Sequence, residues 1–438
     1  SGSRFGRETP VLGHSLPWVS ERPARLCSAN APLPPETYPV PVMDFRDGPA
    51  EAEFRAAVRS WIEGNLPATL RGDAGEGEWG QLSSGHERDK AALALWRERL
   101  QSRGWVAPAW PRRYGGAELP VMQQFILKEE MARARAPRFG GVGIGWVAPT
   151  LMQFGADWMK ERFIEPILSG RERWCQGFSE PGAGSDLASV QTRAVRDGDD
   201  FVVTGQKIWT SGAHIADWMI LLARTDPTAP KHRGLSYFLL DMKTPGISLS
   251  PIINMVGNSG FNQVFFESVR VPAANMVGEE NRGWYVAATT LDFERSLVDL
   301  CVEYRAILEE VIACAREQSL PGLGANRHCL VDLLIEVEVA RNLSLRVVSM
   351  QARGTQPNYE ASIVKLYASE VEQRMAAVAF HVGGLASQVT SRSQSRRELL
   401  MGRIARFQLH SAAATIGGGT SEVQRNIIAT RGLGLPRG

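Results

Sequence analysis

Two short segments constrain this chain more than any other part of it: GFSEPGAGSD at residues 177–186 and GQKIWTSGAHIADW at residues 205–218. The first is a Ser-Glu-Pro turn followed by Gly182, Gly184 and Ser185, a stretch that can offer backbone N–H groups and a hydroxyl to a phosphate or a carbonyl. The second puts Trp209, Thr210 and Ser211 in a strand-like run, where an indole can cover a flat ring and a hydroxyl can meet its polar edge. A lone glycine turn would constrain little. The pair, at this spacing, asks for a fold that brings a turn and a strand against one ligand.

The text around these segments changes character three times. Residues 1–42 hold Pro10, Pro17, Pro23, Pro32, Pro34, Pro35, Pro39 and Pro41 with little apolar periodicity, which predicts an extended, weakly ordered arm. Met43 is expected as the natural start, the preceding arm being foreign or an over-extended reading; the alternative is a true extension that packs on a neighbouring subunit. Phe54, Val58, Trp61 and Ile62 then recur at helical spacing before Pro67. Residues 43–170 read as helices, including LALWRERLQSRGW and VMQQFILKEEMARAR, interrupted by the Pro- and Gly-rich loop VAPAWPRRYGGAELP.

Between 171 and 283 the runs FVVTG, WMILLAR, LSYFLLDM and NQVFFESVRVP predict a small β domain. From 284 to 438 the helical period returns: Tyr304, Ile307, Leu308, Val311 and Ile312 share one face, and Leu330, Leu333, Leu334, Val337 and Ala340 another. The expected fold class is α+β, mostly α: an N-terminal helical domain, a middle β domain and a C-terminal four-helix bundle.

Composition excludes several functions. At 438 residues the chain exceeds one compact core. Its 49 basic and 47 acidic residues nearly cancel, which leaves no electrostatic footprint for nucleic acid or a membrane surface. Small-molecule chemistry is the better expectation. Cys27, Cys175, Cys301, Cys314 and Cys329 are scattered and form no CxxC pair, so neither a disulfide framework nor a metal site is expected, and a cytoplasmic setting fits. No run is apolar enough to span a bilayer. There is no GxGxxG after a strand, the glycines of GVGIG at 141–145 lying in helical text, and no Walker lysine, HExxH or GxSxG elbow. Arg392, Arg396 and Arg397 read as a solvated face.

GFSEPGAGSD and KIWTS together closely resemble the two flavin-contacting segments of the acyl-CoA dehydrogenase family, and the order of helices, β domain and bundle resembles that family over nearly everything after Met43. The resemblance implies FAD. It assigns residues Gln176 to Ser185 to the flavin and its pyrophosphate, Phe178 and Gly184 among them, with Ser179 near the ring edge and Ser185 reaching toward the CoA side. Trp209, Thr210 and Ser211 match a Trp-x-Thr triplet that packs on the ring, here WTS rather than WIT, so that a serine hydroxyl replaces the threonine one. Thr420, Ser421 and Glu422 match positions that touch the adenosine part of FAD.

The catalytic base departs from the commonest family pattern. The C-terminal segment reads IGGGTSEVQRN at 416–426, with Gly418 where many members carry the glutamate. A minority, isovaleryl-CoA dehydrogenase among them, takes its base from an L-x-x-E-R segment. This chain has LDFER at 291–295, so the resemblance implies Glu294 as base and Asp292 and Arg295 as substrate contacts. A glutamate on a helix is more often a solvated surface carboxylate, and that bland alternative stands beside the catalytic one. The amides of Gly418 and Gly419 remain available to a thioester oxygen.

Two cross-subunit elements of the family are also altered. Its Arg-x-x-Phe-Gly turn is missing around CAREQSLPGLGANRH, and Gln-x-x-Gly-Gly reads Phe380, His381, Val382, Gly383 and Gly384. His381 is read as packed rather than as a ligand. The expected activity is α,β-dehydrogenation of an acyl-CoA to its trans-2-enoyl form, with electrons passed to an electron-transfer flavoprotein. The expected assembly is a homodimer, a homotetramer or a heteromer with a related subunit. The alternatives are an acyl thioester oxidase acting on a CoA- or carrier-protein-bound substrate, and a supporting subunit of a heteromeric enzyme.

Overall fold

The computed structural model describes residues 46–71, 89–292, 298–388 and 396–436. The proline-rich arm and Met43 lie outside the described residues, as do Glu294, Arg295 and Arg392.

Helix α1 (Pro49–Asn65) begins with Pro at its first position, where no intrahelical N–H is lost, and ends ahead of Pro67. It buries Val58 and Ile62, with Phe54 and Trp61 half-buried beside them. Helix α2 (Lys90–Ser102) is capped by Asp89, whose carboxylate accepts the Ala92 N–H at 2.9 Å. Helices α3 (Val121–Arg133), α4 (Ala148–Phe154) and α5 (Asp157–Ser169) complete the N-terminal layer. The GVGIG glycines run into a wide helical turn over Gly143–Val147, as the helical text predicts.

The C-terminal helices are α6 (Gly283–Asp292), α7 (Val298–Glu317), α8 (Pro321–Ala325), α9 (Arg327–Ala352), α10 (Tyr359–Gly383), α11 (Arg396–Ser411) and α12 (Ser421–Ile427). The predicted faces close one core: Tyr304, Leu308 and Val311 of α7 meet Leu330, Leu333 and Val337 of α9 and Val371, Met375 and Ala379 of α10. Phe125 and Ile126 of α3 pack on Leu345 and Val348 of α9, and so join the N-terminal helices to the bundle.

A buried ionic junction reinforces that joint. Arg55 of α1 lies 2.8 Å from Glu129 and 3.2 Å from Glu130 on α3, Arg59 lies 2.8 Å from Glu130, and Arg341 of α9 lies 2.7 Å from Glu129. Burial opposes ionisation of Glu130, but the hydrogen bonds from Arg59 and Arg55 outweigh it and hold its carboxyl below the usual range.

Between the helical layers sits a sheet of β1 (Trp174–Gly177), β2 (Arg193–Asp197), β3 (Asp200–Ser211), β4 (Trp218–Arg224), β5 (Leu235–Asp241), β6 (Ile247–Ile252) and β7 (Phe261–Pro272). The order is β1-β4-β2-β3-β7-β6, with β5 paired to β4; only β1 and β2 run parallel to β4. The near-continuous apolar runs of β4 and β5 follow from burial on both faces. Ile220, Leu222, Leu235, Tyr237 and Leu239 face the N-terminal helices. Met219, Leu221, Ala223, Phe238 and Leu240 face a second core closed by Phe201, Val203, Val264 and Phe266.

Helix α6 packs on β5 and α4. Its first residue must be small, because a Cβ on Gly283 would lie 2.5 Å from the Ser236 carbonyl carbon. The Thr150 and Thr290 hydroxyls, 2.8 Å apart, tie α4 to α6 in the interior. Leu291 and Asp292, the first two residues of LDFER, are therefore the last two of a helix anchored on the sheet.

Candidate functional site

The Ser-Glu-Pro segment folds into a tight hairpin. The Glu180 N–H donates to the Ala183 carbonyl at 3.1 Å and the Ala183 N–H to Glu180 at 3.0 Å, which puts Pro181 and Gly182 at the tip. Gly184 and Ser185 follow on the surface, and a Cβ on Gly182 or Gly184 would meet nothing within 4 Å. Beyond the turn, Lys231 holds Asp186 at 2.9 Å. The buried Arg224 guanidinium donates to the carbonyls of Val190 at 3.0 Å and Ala188 at 2.6 Å. The loop after the turn is thereby fixed by bonds to Lys231 and Arg224.

The structure joins the two motif segments directly. The Ile208 N–H donates to the Ser179 carbonyl at 2.9 Å. Lys207, fully buried, donates to the Phe178 carbonyl at 2.9 Å and to Glu180 at 2.8 Å. Glu180 also accepts the N–H groups of Gln191 at 2.6 Å and Thr192 at 2.9 Å. Burial works against the Glu180 charge, but Lys207 and these N–H groups hold its carboxyl below the usual range. Desolvation lowers the Lys207 ammonium to about 8, against the attraction of Glu180.

Trp209 owes its position to a bulge. Lys207 pairs with Val264 and Thr210 with Asn262, so β3 carries one residue more than β7 across this step. Trp209 takes φ 59° and is 57% exposed as a residue, its indole edge-on to Phe261 with ring centroids 6.0 Å apart. Left-handed backbone at a bulky residue costs about 1–3 kcal/mol and signals a functional constraint. The far end of the bulge is closed by Asn262, whose Nδ2 lies 3.2 Å from the Thr210 carbonyl and 3.1 Å from His214 Nδ1.

These residues suit a ligand with polar edges. Gln176 Nε2 and Thr210 Oγ1 are both buried without a protein partner, each leaving a cost of about 1–3 kcal/mol that a bound group can relieve. Ser179 and Ser211 are half-buried, and Trp209 offers an exposed flat apolar face. The set fits FAD. Phe178 contributes no side chain to it: its ring packs edge-on against Tyr237 in the core, centroids 5.9 Å apart.

Of the remaining predicted residues, Gly418, Gly419 and Thr420 lie in the segment that leads into α12 and Glu422 in its first turn, away from the sheet. Gly418 and Gly419 take φ 66° and 93°, and Gln424 Nε2 donates to their carbonyls at 3.1 and 3.3 Å. The Thr420 hydroxyl caps α12, accepting the Val423 N–H at 3.2 Å. Glu422 lies in the first turn, where its own N–H and the Thr420 hydroxyl lower its carboxyl. Thr420 and Glu422, with Glu370 and Gln373 of α10 and with Thr415 and Ile416, line a cavity of about 530 Å³, beside the buried, unpartnered Ser421 hydroxyl. Asp292 is the last residue of α6, next to the undescribed Glu294 and Arg295.

Where the family's cross-subunit elements are altered, α8 fills the place of the missing turn. Phe380 packs half-buried against the bundle core, and His381 is exposed at the end of α10. Among the described residues no helix is long and apolar enough to cross a membrane, and no group of His, Cys, Asp and Glu could hold a metal ion.

Sequence reasoning missed Glu180, Lys207 and Asn262. The available signal was phase: Phe201 and Val203 point inward on β3, and Lys207 continues that inward phase past the irregularity at Gly205. A lysine there requires a buried acidic partner.

Comparisons with known proteins identify the family. Residues 49–171, 175–269 and 281–433 match the family models for the acyl-CoA dehydrogenase N-terminal, middle and C-terminal domains. Acyl-CoA dehydrogenase IpdE1 of Mycobacterium tuberculosis is 36% identical over 388 residues, covering 88% of this chain and 98% of that one. A solved structure described as a Tcur3481-Tcur3483 steroid ACAD superposes with TM-score 0.78 at 36% identity, over 90% of this chain and 100% of that one. The ChsE4-ChsE5 complex from Mycobacterium tuberculosis gives 0.73 at 34% identity, over 90% and 100%. The chain belongs to the acyl-CoA dehydrogenase family and is an FAD-dependent oxidoreductase acting on the CH–CH bond of an acyl-CoA thioester.

Proposed function

We propose that Glu294 is the base of this dehydrogenation, taking the α-proton of the acyl thioester while Asp292 and Arg295 hold the substrate beside it. The observation that carries the cofactor side of the reading is the bonded junction of turn and bulge, which sets Trp209 outward with the unpartnered Gln176 and Thr210 groups in the same segments. When bound, FAD supplies the acceptor for the β-hydride. Ser179, Gly184 and Ser185 meet its polar parts, Trp209 covers its ring, and Ser211 gives a hydroxyl to the ring edge. The amides of Gly418 and Gly419 bond the thioester oxygen as charge develops there.

The backbone at Gly418 supports a base from elsewhere. At φ 66° an L-residue is strained by about 1–2 kcal/mol, so this segment is shaped for glycine rather than for a glutamate side chain. Thr420 and Glu422 serve the adenosine end of the cofactor. The electron acceptor in this reading is an electron-transfer flavoprotein. The substrate class is a bulky polycyclic acyl thioester, supported by likeness to a steroid ACAD. The working unit contains at least two chains, with a related chain the favoured partner, because the neighbour-facing elements at 314–328 and 380–384 have diverged.

Replacing Glu294 by Gln is expected to lower turnover about 10²–10⁴-fold while leaving a yellow, flavin-loaded protein. Turnover retained in that variant places the base elsewhere. Dye reduction faster than oxygen uptake is expected of the wild type; the reverse makes it an oxidase.

A further inference from the structure

The Glu180–Lys207 pair is unusual in where its bonds end. Lys207 reaches the Phe178 carbonyl and Glu180 in the turn, and Glu180 reaches the Gln191 and Thr192 N–H groups in the loop that leads from the turn to β2. The Thr192 hydroxyl then returns to the Gln206 carbonyl at 3.0 Å, next to Lys207 itself. Turn, loop and strand are thus closed into one ring of hydrogen bonds. Lys207 is also the last ladder position before the bulge, so the ring pins the near end of the step that turns Trp209 outward, as Asn262 pins the far end.

A buried ion pair is a weak source of stability, since apolar residues of similar volume fill the same space at no desolvation cost; where such a pair is kept, one use is to select a single geometry. Here the selected geometry is the alignment of a glycine turn with an outward tryptophan.

We infer that Glu180 and Lys207 are positioning residues for FAD: they touch no cofactor atom, but hold the turn and the bulge in the one arrangement that grips it. The inference rests on the reading that turn and bulge contact FAD. Without the pair, β3 can relax toward a regular strand, Trp209 loses its outward setting, and the polar edge of the ring meets groups at wrong distances.

The test is FAD titration of flavin-stripped protein, together with the flavin reduction potential, for wild type, Glu180→Gln, Lys207→Met, the double variant and Trp209→Ala. Each pair variant is expected to raise the FAD Kd about tenfold or more and to shift the potential. The double variant leaves no unpaired buried charge and keeps its melting temperature; it is expected to bind FAD as weakly as the single variants, and it supplies the answer if Lys207→Met fails to fold. A double variant with Kd within about twofold of wild type and an unchanged potential overturns the inference, because a purely structural pair gives that result. Trp209→Ala tests the reading beneath: weakened FAD binding supports it, and unchanged binding in this variant refutes the contact itself, whatever the pair variants do.

Discussion

The turn and bulge of the sheet are held by side chains that are themselves buried, whereas the glycine run at 417–419 is held at its edge by Gln424 and has open space around Gly417 and Gly418. Two glycines make the contrast measurable. A Cβ on Gly205 would lie 2.7 Å from the Thr192 Cα, while one on Gly418 would find only Lys365 Cε, at 3.9 Å. The sheet half of the site is preorganised by its own chain. The helix half leaves room for a ligand or a second chain to complete it, and the diverged segments at 314–328 and 380–384 are where the family's neighbouring subunit is expected to make contact.

Substitutions can break this contrast. Gly205→Ala is expected to cost about 3 kcal/mol in urea unfolding, through the clash with Thr192 and a φ of 149° that alanine does not adopt, and to yield protein depleted of flavin. Gly418→Ala meets no such wall: a loss of about 1–2 kcal/mol from backbone strain is expected, with flavin retained. Equal losses at the two positions would erase the distinction between the halves. Thr420→Ala removes the cap of α12 and is expected to cost about 1 kcal/mol, and any effect on FAD affinity should exceed that on stability, because α12 is peripheral to the bundle core.

Much of the architecture was legible because the apolar periods are strong. The faces of α7 and α9 and the runs of β3, β4, β5 and β7 stand where the sequence places them. Strands β1, β2 and β6 were not read, for a physical reason: β1 is four residues long, β2 is mostly exposed with Arg and Asp at three of its five positions, and β6, although Ile247 and Leu249 alternate with Ser248 and Ser250, is exposed and broken by Pro251. Ladder bonding to neighbours, which a single sequence does not display, makes them strands. On α9, Val331, Ile335 and Val339 also repeat at helical spacing, yet all are exposed, so periodicity alone does not separate this face from the buried one. In the site, glycine and tryptophan announce contact with a ligand by their type, whereas Glu180 and Lys207 act through pairing. Their role appears only when residues 27 apart in sequence are brought to 2.8 Å.

The proposed reading gives this chain the sheet half of an FAD site and a second chain the rest. The direct measurement is light scattering across a size-exclusion peak with flavin absorbance recorded in parallel, on the chain alone and with a related subunit. FAD absorbance is expected to follow species of at least two chains. A monomer carrying one FAD per chain would contradict it.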